Sequence, residues 1–269
     1  MYRLIALFIL GFCLPAAAQT RQSHCIAIAN DAGAAYLHKA AWGDPLDDYT
    51  ARITYIDHSM FLIEAPDGTT AVTDYNGFLG SSDHVPDVAT MNHAHSSHWT
   101  RRPDPRIPHV LEGWGDGESP SRHALEVGEV FVRNVPTDIR GRFGDASEPY
   151  GNSIFVFEIA GLCIGHLGHL HHEPDEAQYA ALGRLDVVMA AVDGGLTVDI
   201  DTMVRILTRL KSSIVIPMHW FGMPTLGRFL DGISEEFSVQ IVPDSSIEVS
   251  LRDLPDRPTV MVLRPSYLR

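Results

Sequence analysis

The sequence predicts an α/β protein built as a sandwich, because short apolar strand-like runs alternate with amphipathic helical segments and loop crossovers in both halves of the chain. Apolar residues make up 45% of the 269 positions, which is enough to form a substantial buried core. The 14 histidines are unevenly spread, and three groups of them directly follow strand-like runs. Loops at strand ends hold side chains on a rigid base, so these groups locate the candidate functional site.

The first residues are typical of a secretory signal peptide. A basic start at Arg3 is followed by an apolar run over residues 4–14 and by small residues that end at Ala18. We therefore expect residues 1–18 to be a cleaved signal peptide and residues 19–269 to be a single domain that is periplasmic or secreted. The apolar run is too short to cross a bilayer, so we expect no membrane anchor after cleavage.

The formal net charge is −14 at pH 7, and the acidic residues are spread along the chain without a long run of one sign. Such a charge distribution disfavours nucleic acid and anionic membranes as partners. No nucleic-acid partner is therefore expected. The sequence does not predict an oligomeric state.

Cys25 and Cys163 are the cysteines that remain after processing. An oxidising compartment permits a disulfide between them, although one pair in a chain of this length is not the signature of a disulfide scaffold. Because the sequence contains no C-x-x-C pair, it does not predict a thiolate zinc site.

The first half of the chain predicts strands over residues 53–56, 60–64 and 70–73, and a turn at residues 66–68 implies that they pair antiparallel. A loop over residues 76–83 leads through the strand-like residues 86–91 into the first histidine group. Residues 101–121 are rich in Pro, Gly and charge, so they are expected to be irregular with one brief strand at 107–111.

The second half predicts strands and helices in alternation. A helix is expected to open at residues 173–177, where Pro and acidic side chains suit the first turn. Residues 197–211 have the apolar spacing of an amphipathic helix, and a shorter helix is expected near 225–230. The predicted strands cover residues 127–135, 153–158, 161–164, 185–192, 213–217, 239–242 and 247–251.

The histidine groups predict a metal site. His93, His95 and His98 have the spacing H-x-H-x-x-H, His166 and His169 follow a later strand, and His219 follows another. Histidine is the commonest metal ligand, and neutral imidazole suits zinc, copper, nickel or iron. Three imidazoles within six residues, supported by two further groups, favour metal binding over a solvated loop.

Taken in order, these motifs resemble the metallo-β-lactamase fold, in the branch of small hydrolases that includes ascorbate-6-phosphate lactonase. Residues 53–64 are similar to its opening hairpin, residues 92–98 to its H-x-H-x-D-H signature, residues 166–170 to H-L-G-D-L, and residues 192–196 and 217–219 to its last two motifs. The resemblance runs from Arg52 to Trp220 and implies a four-layer αββα sandwich. It also implies that Asp74 supports the histidine loop and that His58 orients this loop by a hydrogen bond.

This chain departs from the family pattern at its carboxylates. Ser97 stands where the signature has an aspartate, and His169 stands where the family has a bridging aspartate. Asp138 is the best donor near the position of a middle-strand histidine. Fewer carboxylates leave less negative charge to offset two close dications, so a histidine-dominated site with one metal ion is the simplest expectation.

Two ligand sets are compatible with this pattern. One consists of His98, His169 and His219, which leaves the fourth tetrahedral position of a zinc ion for water. The other combines His93 and His95 with either Asp138 or His166, and a mixed set is also open.

The candidates for a catalytic role are His169, Asp138 and Asp193, which would hold and orient the nucleophile. Asp193 begins a glycine turn, so its carboxylate either orients a histidine or caps that turn. His171 and His172 either touch the metal or substrate or are exposed to solvent.

The resemblance implies an exported metal-dependent hydrolase that uses a metal-bound hydroxide on an ester, lactone, amide or phosphoester of a small molecule. Zn2+ is the expected cofactor, as one or two ions, with Mn, Fe or Cu as alternatives. An all-imidazole site also suits a redox-active metal, so an oxidoreductase on the same fold stays open. Loss of both aspartates leaves open a catalytically weakened accessory protein that binds a metal or a ligand.

Overall fold

The structure is a computed structural model that describes residues 23–26, 41–141 and 147–269. The predicted signal peptide, residues 1–18, lies outside these ranges. The described residues form the following elements in chain order: β1 (Thr50–Asp57), β2 (Met60–Glu64), β3 (Thr70–Val72), β4 (Val88–Met91), β5 (His109–Glu112), β6 (Ala124–Val127), β7 (Val130–Arg140), β8 (Ser147–Ile159), β9 (Leu162–His166), α1 (Glu176–Leu182), β10 (Val187–Ala191), α2 (Ile200–Leu210), β11 (Ile214–Met218), α3 (Met223–Ile233), β12 (Ser238–Ile241), β13 (Ser246–Ser250) and β14 (Thr259–Val262).

The strands form two sheets. The first has the order β13-β1-β2-β3-β4-β5, and the second has the order β12-β14-β11-β10-β9-β8-β7-β6. Apolar side chains from the facing surfaces, such as Ile53 and Phe61 of the first sheet and Phe157 and Ile164 of the second, form one buried core. This mixed α/β sandwich confirms the predicted fold class.

The described helices pack on one side of the sandwich. Leu182 of α1, Met203 of α2 and Phe229 of α3 are buried in a cluster with residues from the outer face of the second sheet. The outer face of the first sheet packs against loop residues, including Ile107 and Leu268. No helix among the described residues is long and apolar enough to cross a membrane.

Local signals set the element boundaries, and some differ from the sequence prediction. Gly128 has a φ of 53°, which gives a tight turn that separates β6 from β7 within the predicted strand 127–135. The side chain of Asp175 accepts a hydrogen bond from the Gln178 backbone and forms a capping box, so α1 begins at Glu176 rather than at residue 173. Helix α2 likewise begins after its N-cap Asp199.

The direction of the strands gathers the candidate loops at one edge. Strands β9, β10 and β11 are parallel, with Met189 paired to both His166 and Ile216. The carboxyl ends of parallel strands meet at the same edge of a sheet, and ligand sites form there. The loops that follow these three strands carry His169, Asp193 and His219.

Cys25 and Cys163 form a disulfide, with 5.8 Å between their Cα atoms. The bond joins the segment 23–26 to β9 and closes a loop of 138 residues in sequence. The neighbouring His24 Nδ1 lies 3.0 Å from Glu158 Oε2, which also fixes this segment to β8. The disulfide that the sequence left open is therefore present.

A buried arginine ties three strands of the first sheet together. Arg52 on β1 lies directly opposite Glu64 on β2 and Glu248 on β13. Its guanidinium is 2.6 Å from Glu248 Oε1 and 3.3 Å from Glu64 Oε1, and it also donates to the carbonyl of Asp44. Burial raises the pKa of Glu64, although Gly43 and Arg52 oppose this shift.

We predict that Arg52→Ala lowers the free energy of unfolding by about 3–5 kcal/mol, because it leaves buried carboxylates without their partner. Urea unfolding followed by circular dichroism measures this change. The matched control is Arg106→Ala, which removes an exposed ion pair with Asp104 and is expected to change the unfolding midpoint little. Equal effects of the two substitutions would contradict the structure.

We also predict that the processed, oxidised protein has no free thiol, because its two cysteines are paired. Thiol titration in denaturant should detect both cysteines only after reduction. Reduction, or the double substitution to Ser, should lower the free energy of unfolding by about 2–5 kcal/mol, since the unfolded chain loses a long-range crosslink. Free thiols in the unreduced protein would refute the pairing.

Candidate functional site

The β1–β2 turn and the loops that follow β3, β4, β9, β10 and β11 meet at one edge of the sandwich. The turn between β1 and β2 carries His58, and the backbone N–H of His219 donates to the carbonyl of His58 at 2.8 Å. The loop after β4 carries His98, and the loop after β9 carries His169. Both sheets therefore contribute to one cluster of imidazoles.

His98, His169 and His219 form the buried centre of this cluster. Their ring centroids lie 4.9 Å apart for His98 and His169, 5.0 Å for His169 and His219, and 5.2 Å for His98 and His219. The Nε2 atoms of His98 and His219 and both ring nitrogens of His169 are buried without a hydrogen-bond partner. The structure thus brings together the first of the two ligand sets that the sequence allows.

A buried carboxylate orients His98. Oδ2 of Asp74 lies 2.5 Å from Nδ1 of His98, and neither side chain is exposed. A carboxylate at this distance accepts the Nδ1 proton, so in the neutral ring Nε2 carries the free lone pair. Asp74 is itself held by Asn92, whose Nδ2 donates to Oδ1 at 2.9 Å. Burial alone would raise the pKa of Asp74, but the nearby His166 and His98 lower it below its usual range.

A second carboxylate lies beside His219, within ion-pair distance of its ring. Oδ2 of Asp193 lies 2.9 Å from Nδ1 of His219. The other oxygen, Oδ1, accepts backbone N–H groups of Gly195, Leu196 and Thr197, and Oδ2 also accepts the Thr197 hydroxyl. Asp193 therefore has both of the roles that the sequence left open, because it caps the glycine turn and contacts a histidine.

These hydrogen bonds fix the charge of Asp193. Burial by itself would raise its pKa, but the bonds from His219, Thr197 and Gly195 lower the pKa well below that of an ordinary aspartate. The carboxylate is thus ionised at neutral pH and stabilises a proton on the Nδ1 side of His219. Its Nε2 side is left facing the cluster.

His58 lies closer to the centre than the sequence suggests. Its ring centroid is 3.9 Å from that of His219 and 5.3 Å from that of His98. One ring nitrogen from each of His58, His98 and His219 lies within 4.8 Å of the others. The expected hydrogen bond to the histidine loop is not the contact observed, and His58 instead offers a further imidazole to the cluster.

His95 and His171 flank His169. Their ring centroids lie 4.5 Å and 4.7 Å from that of His169. His171 Nδ1 accepts the Arg140 backbone N–H at 2.7 Å, and the same ring is hydrogen-bonded to the backbone of Leu196. Those two bonds engage His171, whereas His95 is exposed on its loop and touches the cluster directly.

Three residues of the second predicted ligand set lie elsewhere. His93 packs between Trp99 and Trp114, with its Nδ1 3.8 Å from Glu148. His166 is fully buried, with Nε2 on the carbonyl of Ser59 at 2.8 Å and Nδ1 accepting the Gly168 N–H at 3.2 Å. Asp138 accepts hydrogen bonds from Ser147 and Tyr150 within the β7–β8 hairpin.

These three residues do not join the cluster because hydrogen bonds and aromatic packing already engage their side chains. His166 ends β9, so its ring points into the sandwich under the β1–β2 turn. The Asp138 carboxylate bridges the two strands of its own hairpin. Of that second set, the structure brings only His95 to the cluster.

Two asparagines that the motif analysis gave no role position the loops. Asn92 Oδ1 accepts the Ser153 N–H at 2.8 Å, so the end of β4 is bound across the sandwich to β8. Asn152 Oδ1 accepts the His169 N–H at 2.8 Å, and its Nδ2 donates to Thr137 and to the carbonyl of Leu167. The only sequence signal for this positioning role is that each asparagine lies next to a predicted strand, and many asparagines do.

The backbone is strained at the cluster. His58, Asp74 and His219 have φ values of 49°, 44° and 57°, in the left-handed region. Such conformations cost roughly 1–3 kcal/mol each for residues other than glycine and occur where the surrounding structure enforces them. Here the strain turns each side chain toward the cluster at the point where its strand ends.

Burial and the neighbouring imidazoles keep His58 and His169 neutral. Burial, followed by the neighbouring His219 and His98, lowers the pKa of His58 to about 3. Burial, His98 and His219 also lower the pKa of His169 far below its usual value. Neutral imidazole is the form that binds metal ions, because a protonated ring has no free lone pair.

The residues present fit a metal ion. A buried ring nitrogen without a partner costs about 1–3 kcal/mol, and this cluster contains several such atoms on neighbouring rings. A cation that accepts their lone pairs removes that cost. Imidazoles backed by carboxylates suit Zn2+, and the donor type also suits Fe and Cu.

A cleft of about 510 Å3 opens next to the cluster. His95 and His171, which contact His169, form its inner side, and Trp99 and Ile139 give it apolar surface. Arg140 and Glu148 add charged groups at its edge. The cleft gives a small molecule access to the imidazoles.

Comparison with known proteins identifies a matching family model and two curated relatives. A family model described as the beta-lactamase superfamily domain matches residues 52–219. A UPF0173 metal-dependent hydrolase of Salinibacter ruber is 24% identical over 209 residues, covering 69% of this chain and 91% of the relative. Another from Carboxydothermus hydrogenoformans is 23% identical over 208 residues, covering 67% of this chain and 91% of the relative.

Solved structures share the fold. A structure described as a Zn-dependent hydrolase of the metallo-β-lactamase superfamily from Thermotoga maritima has a TM-score of 0.57 and 23% identity, covering 79% of this chain and 98% of that one. A metal-dependent hydrolase from Parabacteroides distasonis has a TM-score of 0.53 and 13% identity, covering 69% and 89%. The family model spans most of the chain and includes every loop that supplies the cluster, and the chain therefore belongs to the β-lactamase superfamily of domains, in which the curated relatives it resembles are named metal-dependent hydrolases.

Proposed function

We propose that this protein is an exported metal-dependent hydrolase of a small molecule, with one Zn2+ ion held by His98, His169 and His219. The observation that carries the proposal is the set of buried ring nitrogens without hydrogen-bond partners on three imidazoles whose ring centroids lie 4.9, 5.0 and 5.2 Å apart. The carboxylates behind two of these rings favour the tautomer that leaves Nε2 free.

When bound, such an ion supplies Lewis acidity and lowers the pKa of a coordinated water toward neutrality. The chain contributes the orientation of the rings. Asp74 holds His98 and Asp193 holds His219 through their Nδ1 sides, and both rings lie about 5 Å from that of His169, at 4.9 and 5.0 Å between centroids. Esters, lactones, amides and phosphoesters are the substrates that this chemistry can cleave.

The carboxylates that contact the cluster favour a single ion over two. Among the described residues, Asp74 and Asp193 face Nδ1 atoms and lie behind the rings. Ser97, in place of the signature aspartate, offers a neutral hydroxyl. Two dications close together would therefore lack the carboxylates that usually offset their repulsion.

Export is supported by two independent features. Residues 1–18 have the pattern of a cleaved signal peptide. The disulfide between Cys25 and Cys163 forms most readily in an oxidising compartment such as the periplasm. Expression with residues 1–18 intact, followed by fractionation and N-terminal sequencing, tests both the location and cleavage after Ala18.

The first test of the proposed function is metal content. Wild-type protein is expected to bind about one zinc ion per chain, as three-histidine catalytic sites do. His98→Ala, His169→Ala and His219→Ala should each lose most of it, whereas His93→Ala should retain it because His93 packs between tryptophans. Elemental analysis of protein purified without added metal measures each value.

The same experiment discriminates the two ligand sets and the other functions. Loss of metal in His93→Ala, with retention in His219→Ala, would refute the assignment. Iron or copper in place of zinc would favour an oxidoreductase. Bound zinc without chelator-sensitive hydrolysis of ester, lactone or phosphodiester substrates would favour an accessory binding protein.

We further predict that Asp74→Asn and Asp193→Asn each weaken zinc affinity by roughly 10–100-fold, because the amide no longer accepts the Nδ1 proton as a charged partner. Competition with a chromogenic chelator measures the affinity. Asp138→Asn is the matched control, since that carboxylate bonds only within its hairpin among the described residues. Equal affinity of Asp193→Asn and Asp138→Asn would show that the carboxylate behind His219 does not tune the site.

A further inference from the structure

An exposed apolar wall lies beside the histidine cluster, on the side of His58 and His219. We define it by Leu196, Phe221 and Met223, which are 51%, 65% and 67% exposed. We infer that the substrate carries an apolar group, such as an acyl chain, that lies on this wall while its reacting bond lies at the cluster. The inference rests on the proposed function and names its substrate class.

The wall is in contact with the site. The ring of Phe221 lies 5.2 Å from that of His219 and 5.7 Å from that of His58. Leu196 belongs to the turn capped by Asp193, and its backbone N–H donates to Asp193 Oδ1 at 2.6 Å. An apolar group bound on this wall would therefore lie next to the imidazoles of His58 and His219.

The three wall residues come from two loops that lie side by side. A Cβ atom added at Gly194 would be 3.9 Å from Thr225 Cγ2, which places the turn after β10 against the first turn of α3. Leu196 follows this glycine by two positions, and Met223 precedes Thr225 by two. The wall is thus assembled by the fold and is not a single exposed side chain.

Packing of the fold does not account for these side chains. Helix α3 is anchored by Leu226, Phe229 and Ile233, all of which are buried. Phe221 and Met223 lie at or before its first residue and remain outside the buried clusters. Large exposed apolar groups beside a polar site are typical of ligand-binding surfaces, because each loses contact with water when the ligand binds.

The polarity of the surroundings gives the substrate an orientation. The cleft bordered by His95 and His171 carries the charged groups of Arg140 and Glu148, and it adjoins the wall at Leu196, whose carbonyl accepts a hydrogen bond from Arg140 Nη2 at 2.7 Å. A polar part of the substrate fits that cleft. The apolar part then fits the wall toward Phe221 and Met223.

The test uses p-nitrophenyl acetate, butanoate and octanoate with the zinc-loaded protein. Each added methylene that leaves water contributes up to about a fourfold gain, so kcat/KM for octanoate should exceed that for acetate by at least about tenfold. Phe221→Ala and Met223→Ala should reduce the octanoate-to-acetate ratio by about threefold or more, and Phe221→Leu should restore part of it. Zinc content is measured in every variant, because Phe221 touches two histidines.

The matched control is Leu251→Ala, which removes an exposed leucine at the far end of the sandwich. Leu251 is 39% exposed and follows Ser250, which pairs with Thr50 at the opposite end of β1 from His58. The octanoate-to-acetate ratio should be unchanged in this variant. A ratio that falls equally in Leu251→Ala would overturn the inference.

A binding measurement gives a readout that does not depend on turnover. Chelator-treated protein should enhance the fluorescence of anilinonaphthalene sulfonate, octanoate should displace the dye, and Phe221→Ala should weaken both effects. If acetate is hydrolysed in a chelator-sensitive manner but chain length has no effect, the inference fails and the proposed function stands. If no ester is hydrolysed, the proposed function fails for esters, and absence of octanoate displacement overturns the inference as well.

A membrane surface is the competing occupant of the wall. Sedimentation with phosphatidylcholine vesicles tests it on the same variants. Vesicle binding that is lost in Phe221→Ala, without an acyl-chain preference for soluble esters, would assign the wall to a lipid surface and overturn the inference.

Discussion

The pairing of a buried carboxylate with the Nδ1 atom of a histidine is the interaction on which the site depends. Asp74 fixes His98 and Asp193 fixes His219, at 2.5 Å and 2.9 Å. Each carboxylate is also bound on its other side, Asp74 by Asn92 and Asp193 by the backbone of its own turn. Because both ends are held, each ring has one defined orientation and leaves Nε2 without a hydrogen-bond partner, next to the ring of His169.

This arrangement requires two sheets in a fixed relation. His98 and Asp74 belong to loops of the first sheet, whereas His169, Asp193 and His219 follow strands of the second. Asn92 joins the two by bonding both Asp74 and the Ser153 backbone. The apolar core between the sheets therefore supports the chemistry directly, since sliding of one sheet over the other would separate the imidazoles. The left-handed backbone of His58, Asp74 and His219 shows that the fold holds these side chains in place against local preference.

The surfaces around the cluster differ in polarity. The cleft beside His95 carries Arg140 and Glu148, whereas the loops that present Phe221 and Leu196 expose apolar groups. The same turn that orients His219 through Asp193 also places Leu196 at the surface. One short loop thus links the geometry of the imidazoles to the surface that a substrate would meet.

The sequence by itself determined the α/β class, the strands that end in histidines and the family, because apolar periodicity and ordered motifs are local properties of the chain. It indicated Asp74 through the family resemblance and Asp193 through the glycine turn that it begins, and it placed His98, His169 and His219 in one of two possible ligand sets. Only the tertiary structure shows which of these rings lie together. His93 and His166 have the same spacing signals as His98 and His169, but tryptophan packing and the carbonyl of Ser59 occupy their rings. Which nitrogen of an imidazole is free depends on groups from distant strands, and residue spacing along one chain does not encode those contacts.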